Sequence, residues 1–383
     1  MKAVIAIDSM KGSLSSIEAG KAIAQGIYKV YPDAEVSVSP LADGGEGTVD
    51  ALVEGMGGRL ETIHVTGPLG QPVEAVYGIL PESKTAIMEM SQAAGITLVG
   101  ADRRNPLFTT TYGVGEMIKD AIAKGCRRFI MGIGGSATND GGIGMLAALG
   151  YDFLNEKKEP VPFGANGLKE LVSISPEHAL PELKECEFHI ACDVNNPLCG
   201  KNGCSAVFGP QKGASLDMIR DMDKWLENYA KLARAFSPDA DPETPGAGAA
   251  GGLGFAFLVF THSILESGIR IVLKETHLEE KIKNADFVIT GEGRLDGQTA
   301  MGKAPVGVAS LAKKYHCPVI AFSGSVTKDA VLCNQNGIDA FFPILRSIST
   351  LEEAMKPENA EQNLMDTAEQ VFRLIRAVRP SAQ

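Results

Sequence analysis

Glycine strings set at the ends of apolar runs constrain this chain more than any other feature. The run KAVIAID leads into DSMKGS at 8–13, an extended stretch at about 34–40 into ADGGEGT at 42–48, RRFIMGI into GGSATNDGG at 134–142, and ADFVITGEG into TGEGRLD at 290–296. Each loop mixes glycine with hydroxyl and acidic residues. Helical stripes follow, as with Ile17, Ile23 and Ile27 behind the capping-box pair Ser15 and Glu18, or Val49, Leu52 and Val53 behind ADGGEGT. Strand, tight loop and helix in that order form the repeating unit of open α/β sheets, which place ligands at the carboxyl ends of their strands. Glycine fills 43 of 383 positions, and its clustering points to shaped loops rather than linker.

The pattern changes twice along the chain. From about 62 to 90 short alternating runs broken by GPLG and Pro81 read as antiparallel strands. A helix with Val114, Met117, Ile118, Ala121 and Ile122 on one face then closes at Gly125, EFHIACDV reads as a strand, and 215–235 as a helix with Leu216, Ile219, Met222 and Leu226 inward. After about 265 strand and helix alternate again, through the helix opened by Pro305, CPVIAFSG, 328–336, DAFFPI and a last helix near 361–378. The fold class expected is therefore α/β with two domains. Residues 1–61 and 266–383 form a discontinuous Rossmann-like domain, 62–265 an inserted mixed α/β domain, and the active site lies in the cleft between them.

Composition narrows the function. A net charge of −11 argues against a nucleic-acid partner, since no broad cationic face is available to release counterions. The longest apolar run, GFAFLVF at 254–260, falls far short of the roughly 20 residues of a membrane span, so no membrane partner is expected. The N-terminal segment lacks the pattern of a secretory signal, and seven cysteines fit reduced thiols in the cytoplasm. Cys192, Cys199 and Cys204, with His189 nearby, lack the paired spacing of a zinc site and read as small buried thiols.

Four loops carry candidate chemistry. Asp8, Lys11 and Ser13 sit at a strand end just before a helix, where a lysine and free N–H groups suit a phosphate or carboxylate. GGSATNDGG, with Gly134, Gly135, Ser136, Thr138, Asn139, Asp140 and Gly141, has the flexibility and polar groups of a loop that wraps phosphates and reaches their magnesium. TGEGRLD offers Glu292, Arg294 and Asp296, and the adjoining GQTAMGKA has P-loop spacing with Ala304 in place of the hydroxyl, leaving Lys303 for a phosphate. Asp193 in CDVNNPLCG ends an apolar strand beside Asn195 and Asn196, a suitable place for an acid or base. A nicotinamide reading would use Gly132, Gly134 and Ala137 with Asp152 as the ribose acid, against which Asn139–Gly142 interrupts the helix that fingerprint must open. A non-enzymatic phospho-ligand sensor would need the anion loops but not the acids.

In order and over nearly the whole length, DSMKGS, ADGGEGT, GPLG, GGSATNDGG, CDVNNPL, FGPQKG, PGAGAAGGLG and TGEGRLDGQT resemble the bacterial type I glycerate kinase family. The resemblance implies ATP-dependent phosphorylation of D-glycerate, with 2-phosphoglycerate the product, in glycolate, glyoxylate, glucarate or galactarate breakdown, by two α/β domains around a cleft. ATP and Mg2+ are the implied cofactors, and a homodimer stays open. Given that reaction, the chemistry of phosphoryl transfer assigns Asp193 as the first choice of base and Asp296 as the second, with Lys11 and Arg294 neutralising charge or holding the glycerate carboxylate. Gly134, Gly135, Ser136, Thr138, Asn139, Gly141 and Lys303 would hold the nucleotide. Asp8, Ser13, Gly44, Gly45 and Asn196 would meet the substrate, and Asp43, Glu46, Asp140 and Glu292 the magnesium.

Overall fold

The structure, a computed structural model, describes residues 1–45 and 47–378. Its strands are β1 (Lys2–Ile5), β2 (Glu35–Val38), β3 (Arg59–Thr66), β4 (Pro72–Leu80), β5 (Thr85–Glu89), β6 (Arg128–Gly132), β7 (Asp152–Leu154), β8 (Ser173–Ser175), β9 (Glu187–Ala191), β10 (His262–Glu266), β11 (Phe287–Leu295), β12 (Val319–Val326) and β13 (Ala340–Pro343). The chain is an α/β protein of two compact units, with a parallel sheet from both chain ends and a mixed sheet from the middle.

The first unit takes residues 1–43, 50–57 and 269 onward. Its sheet runs β13-β12-β11-β1-β2, every pair parallel. Ala3, Ile5, Ile7, Phe287, Ile289 and Phe322 fill its core, against Ile23 and Ile27 of the helix Ser16–Tyr28 and Leu364 and Phe372 of the helix Pro357–Val378. Each of the isoleucine, leucine and phenylalanine side chains contributes about 1.5–3 kcal/mol by leaving water. Ser15 and Glu18 form the expected reciprocal cap: Ser15 Oγ accepts from Glu18 N and Glu18 Oε2 accepts from Ser15 N. That cap fixes where the chain turns from the loop after β1 into the helix.

The second unit takes residues 44–49 and 58–268, with sheet order β10-β9-β6-β5-β4-β3. β3, β4 and β5 are antiparallel neighbours, whereas β5, β6, β9 and β10 run parallel. The boundaries read from sequence at 61/62 and 265/266 fall inside β3 and β10. Neither strand divides there, because Arg59 through Thr66 pair continuously with β4 and His262 through Glu266 with β9.

One local expectation needs correction. Leu216 is exposed, at 79% of its surface, because it opens the helix Leu216–Ala233 beyond the reach of the core; Met222, Leu226, Tyr229, Ala230 and Ala233 form the buried face instead. GFAFLVF lies in the helix Ala249–Phe260, whose start is kinked by left-handed backbone at Ala250, Gly251 and Gly252. Among the described residues no helix is long and apolar enough to cross a membrane.

Candidate active site

The carboxyl ends of β1, β11 and β12 open on a cavity of about 420 Å³ in the first unit. Asp8, Lys11, Ser13, Asp43, Glu292, Arg294, Asp296 and Lys303 line it on one side, and Ile344, Leu345, Leu351 and Met355 on another. The sheet itself places these groups. Beyond β1 the Asp8 N–H still bonds the Gly291 carbonyl at 2.9 Å, so Asp8 is delivered beside Glu292 of β11 by continued strand pairing. Lys303 stands at the N-cap of the helix Ala304–Lys313, whose Pro305 presets the first turn, and no side chain caps that end. Ser13 Oγ is buried and has no hydrogen-bond partner among the described residues.

Electrostatics single out Asp8. Burial foremost, then the Asp43 charge and more weakly that of Glu292, push its pKa up to about 7, against the opposing pull of the Ser9 N–H at 2.7 Å and of Lys11. Glu292 is also raised, first by burial, although Thr299 Oγ1 donates to its Oε1 at 2.6 Å and Lys303 pulls the other way. Such crowding of partly desolvated carboxylates beside cations marks a site built for charged ligands. Asp296 is more constrained than its sequence position suggested. Its Oδ1 accepts from Gln298 N at 2.9 Å and Thr299 N at 3.2 Å, so it shapes the turn, while Oδ2 lies 3.7 Å from Arg294 Nε.

The oxygen donors suit magnesium. Asp8, Asp43 and Glu292 are hard ligands in one cavity, and among the described residues no group of three metal-ligating side chains is already closed around a point. Magnesium commonly takes one or two carboxylates and completes its shell with water and phosphate oxygens. Glu46, also expected as a ligand, lies outside the described residues.

In the second unit GGSATNDGG follows β6 and divides into two halves. Gly134 and Gly135 are exposed, and the N–H groups of Gly134, Gly135 and Ser136 bond to no described residue, leaving three successive donors at the tip. Thr138, Asn139 and Asp140, expected from the sequence to touch a ligand, are wholly buried. Asn139 Nδ2 donates to Ser205 Oγ at 2.8 Å, and Thr109 Oγ1 to the Ala137 carbonyl at 2.8 Å. The Asp140 carboxylate accepts from Thr111 N at 2.8 Å, Thr111 Oγ1 at 2.9 Å and Gly142 N at 3.1 Å. Burial raises its pKa while these donors oppose the rise. Asp140, for which a magnesium role was expected, therefore ties the loop together from inside. Gly141 is pinned by its N–H to the Gly251 carbonyl at 2.9 Å, and Gly251 has no room for a side chain, since a Cβ would lie 2.1 Å from the Thr138 carbonyl oxygen. PGAGAAGGLG is thus a brace for GGSATNDGG. One residue that the sequence did not single out also belongs here: Lys212, in FGPQKG, is buried and donates to Ser136 Oγ at 2.8 Å and to the Thr138 carbonyl at 2.6 Å. Its only signal was a lysine inside a glycine string.

The remaining candidates cluster after β9. Asp193 is exposed and its Oδ1 accepts from Gly268 N at 3.3 Å, while Asn196 Nδ2 donates to the Asn202 carbonyl at 2.9 Å. Gly44 packs against Gly268 and Ala191, and the Gly45 carbonyl accepts from Thr48 Oγ1 at 2.7 Å. Asp152, the ribose acid of the nicotinamide alternative, instead pairs with His178 at 2.8 Å, and the next helix begins only at Ile143.

Comparison with known proteins gives the chain a family. The profile described as the glycerate kinase family matches residues 3–376. Glycerate kinase of Haemophilus influenzae is 47% identical over 375 residues, covering 98% of this chain and 99% of that protein. Glycerate 2-kinase of Escherichia coli is 48% identical, covering 93% of each. A crystal structure of a candidate glycerate kinase 2 from Salmonella typhimurium LT2 superposes with a TM-score of 0.91 at 46% identity, over 99% of both chains. The chain belongs to the glycerate kinase family.

Proposed function

We propose that the protein transfers the γ-phosphoryl group of ATP to the 2-hydroxyl of D-glycerate. Lys11 and Arg294 pair with the glycerate carboxylate, and Asp8 accepts the hydroxyl proton as the phosphoryl group arrives. In the second unit the N–H groups of Gly134, Gly135 and Ser136 hold nucleotide phosphate, and in the first unit Lys303 offers its charge to a phosphate. Asp43 and Glu292 hold magnesium, which when bound neutralises phosphate charge. What carries this reading is the cavity itself, where a carboxyl group raised to about 7 lies beside two lysines and an arginine. A base poised near neutral pH and cations around a small acid are what such a transfer requires of the protein. Asp193 is exposed and its Oδ1 accepts from Gly268 N at 3.3 Å, and Asp8 is preferred to it as the base because Asp8 is the one of the two that lines the cavity. The name of the Escherichia coli relative, glycerate 2-kinase, supports 2-phosphoglycerate as product.

Purified protein with magnesium and ATP should consume D-glycerate and fail on glycerol, because a site built to pair a carboxylate is left with unsatisfied cations when the acid is missing. Equal turnover of glycerol would remove the carboxylate role from Lys11 and Arg294. Phosphorus NMR of the product would overturn the 2-hydroxyl assignment if it showed 3-phosphoglycerate.

A further inference from the structure

Lys212 closes the short turn Pro210–Lys212 and is only 2% exposed. Its ammonium donates to two neutral oxygens, Ser136 Oγ and the Thr138 carbonyl, and it enters no ion pair with a described residue. Burying a charge is expensive unless an opposite charge pairs it, and neutral acceptors satisfy hydrogens without cancelling charge. Asp140 lies near enough to act through space, but its oxygens are engaged by Thr111 and Gly142.

The loop held by Lys212 indicates where the missing negative charge belongs. Ser136 Oγ accepts from the ammonium, so its own proton is left to donate elsewhere. Beside it stand the N–H groups of Gly134, Gly135 and Ser136, none of which finds an acceptor among the described residues. Four donors without acceptors lie together on this loop with a positive charge behind them, which is the chemistry of a phosphate cradle. We propose that Lys212 is a positioning residue for the nucleotide. It fixes Ser136 and the Thr138 carbonyl from inside the protein and supplies the charge that a bound polyphosphate neutralises. The contact with the ligand runs through the Ser136 hydroxyl and through space. This rests on the reading of Gly134–Ser136 as the phosphate cradle.

The environment adds a pH signature. Burial brings the Lys212 pKa down to about 8, whereas the neighbouring Cys204 thiol is pushed up to about 11, and Asp140 and Tyr229 are both raised. Lys212 therefore changes charge between about pH 7 and about pH 9, and polyphosphate affinity falls as it loses its proton.

The test uses the full chain with MgADP as the probe, read by calorimetry, and D-glycerate binding as the parallel measurement. Lys212→Met removes the charge at similar volume, and Lys212→Gln restores donors should the methionine variant fail to fold. Both should weaken MgADP roughly ten- to a hundred-fold, the range for a lost hydrogen bond to a charged group, and leave D-glycerate affinity unchanged. The fall in MgADP affinity between about pH 7 and about pH 9 should vanish with them. Gly134→Asp tests the cradle separately, since a Cβ at Gly134 meets nothing within 4 Å and the added carboxylate would repel an anion. If Gly134→Asp weakens MgADP while the Lys212 variants bind it within about twofold of the parent, the proposal is overturned and the cradle stands. A lowered melting temperature with unchanged MgADP affinity would mark a structural lysine and overturn it equally. If Gly134→Asp leaves MgADP binding intact, the cradle reading falls and the proposal with it.

Discussion

Asp8→Asn should stabilise the protein without ligands while abolishing turnover. The asparagine oxygen can keep the Ser9 N–H at 2.7 Å, so the change removes charge and little else. Burial and the charges of Asp43 and Glu292 lift the Asp8 pKa from 3.8 to about 7. Below about pH 4 the carboxyl is protonated in folded and unfolded chains alike, and parent and variant should be equally stable. Between about pH 4 and about pH 7 the unfolded chain has released a proton that the folded chain keeps, so the parent loses stability as pH rises. Above about pH 7 the penalty is complete and constant. Three units at about 1.4 kcal/mol each set a ceiling of about 4 kcal/mol; partial access to solvent makes about 2 kcal/mol the working figure. Urea titrations followed by far-ultraviolet circular dichroism at about pH 4 and about pH 8 measure the gap. Turnover should fall by about 10²–10⁴, the range for a lost general base. Parallel stability curves for the two proteins would show that Asp8 is not held neutral. A stabilised variant that still turns over would remove it as the base.

Asp193→Asn should cost less than about tenfold in turnover if Asp8 is the base, and the reverse ordering of the two variants in steady-state kinetics would return that role to Asp193. Asp140→Ala should lower unfolding free energy by about 3 kcal/mol in denaturant titration, since it leaves the buried donors of Thr111 and Gly142 unpaired; an unchanged midpoint would refute its bracing role. Lys303→Met should raise the KM for ATP roughly tenfold with kcat little changed, and a purely kcat effect would place Lys303 away from the nucleotide.

Where a group's role depends on its own strand and loop, the sequence was informative. DSMKGS and TGEGRLD were legible because each is a strand end, and parallel pairing of β1 with β11 brings their polar residues to one cavity. The shift at about 62 to antiparallel strands was legible from alternation and turn residues. What the sequence did not show were properties made by residues distant in the chain. Asp8 looked like a substrate contact; its raised pKa exists only because folding delivers Asp43 and Glu292 to it.

GGSATNDGG illustrates the harder case. Polarity made every residue of it look ligand-facing, yet a loop that presents bare N–H groups must itself be held, and only its first half is exposed. The glycines supply the tip. The residues after them spend their polar groups inward, Asn139 on Ser205 and Asp140 on Thr111, while Thr109 and Lys212 complete the scaffold from outside the string. On the proposed reading a polar string around paired glycines carries two functions in series, a cradle and its anchor. The division between them is set by which backbone groups lack partners, a property of the folded chain. Lys212 lay beyond sequence reading for the same reason: its spacing is that of a solvated surface lysine, and burial beneath Ser136 alone gives its charge a task.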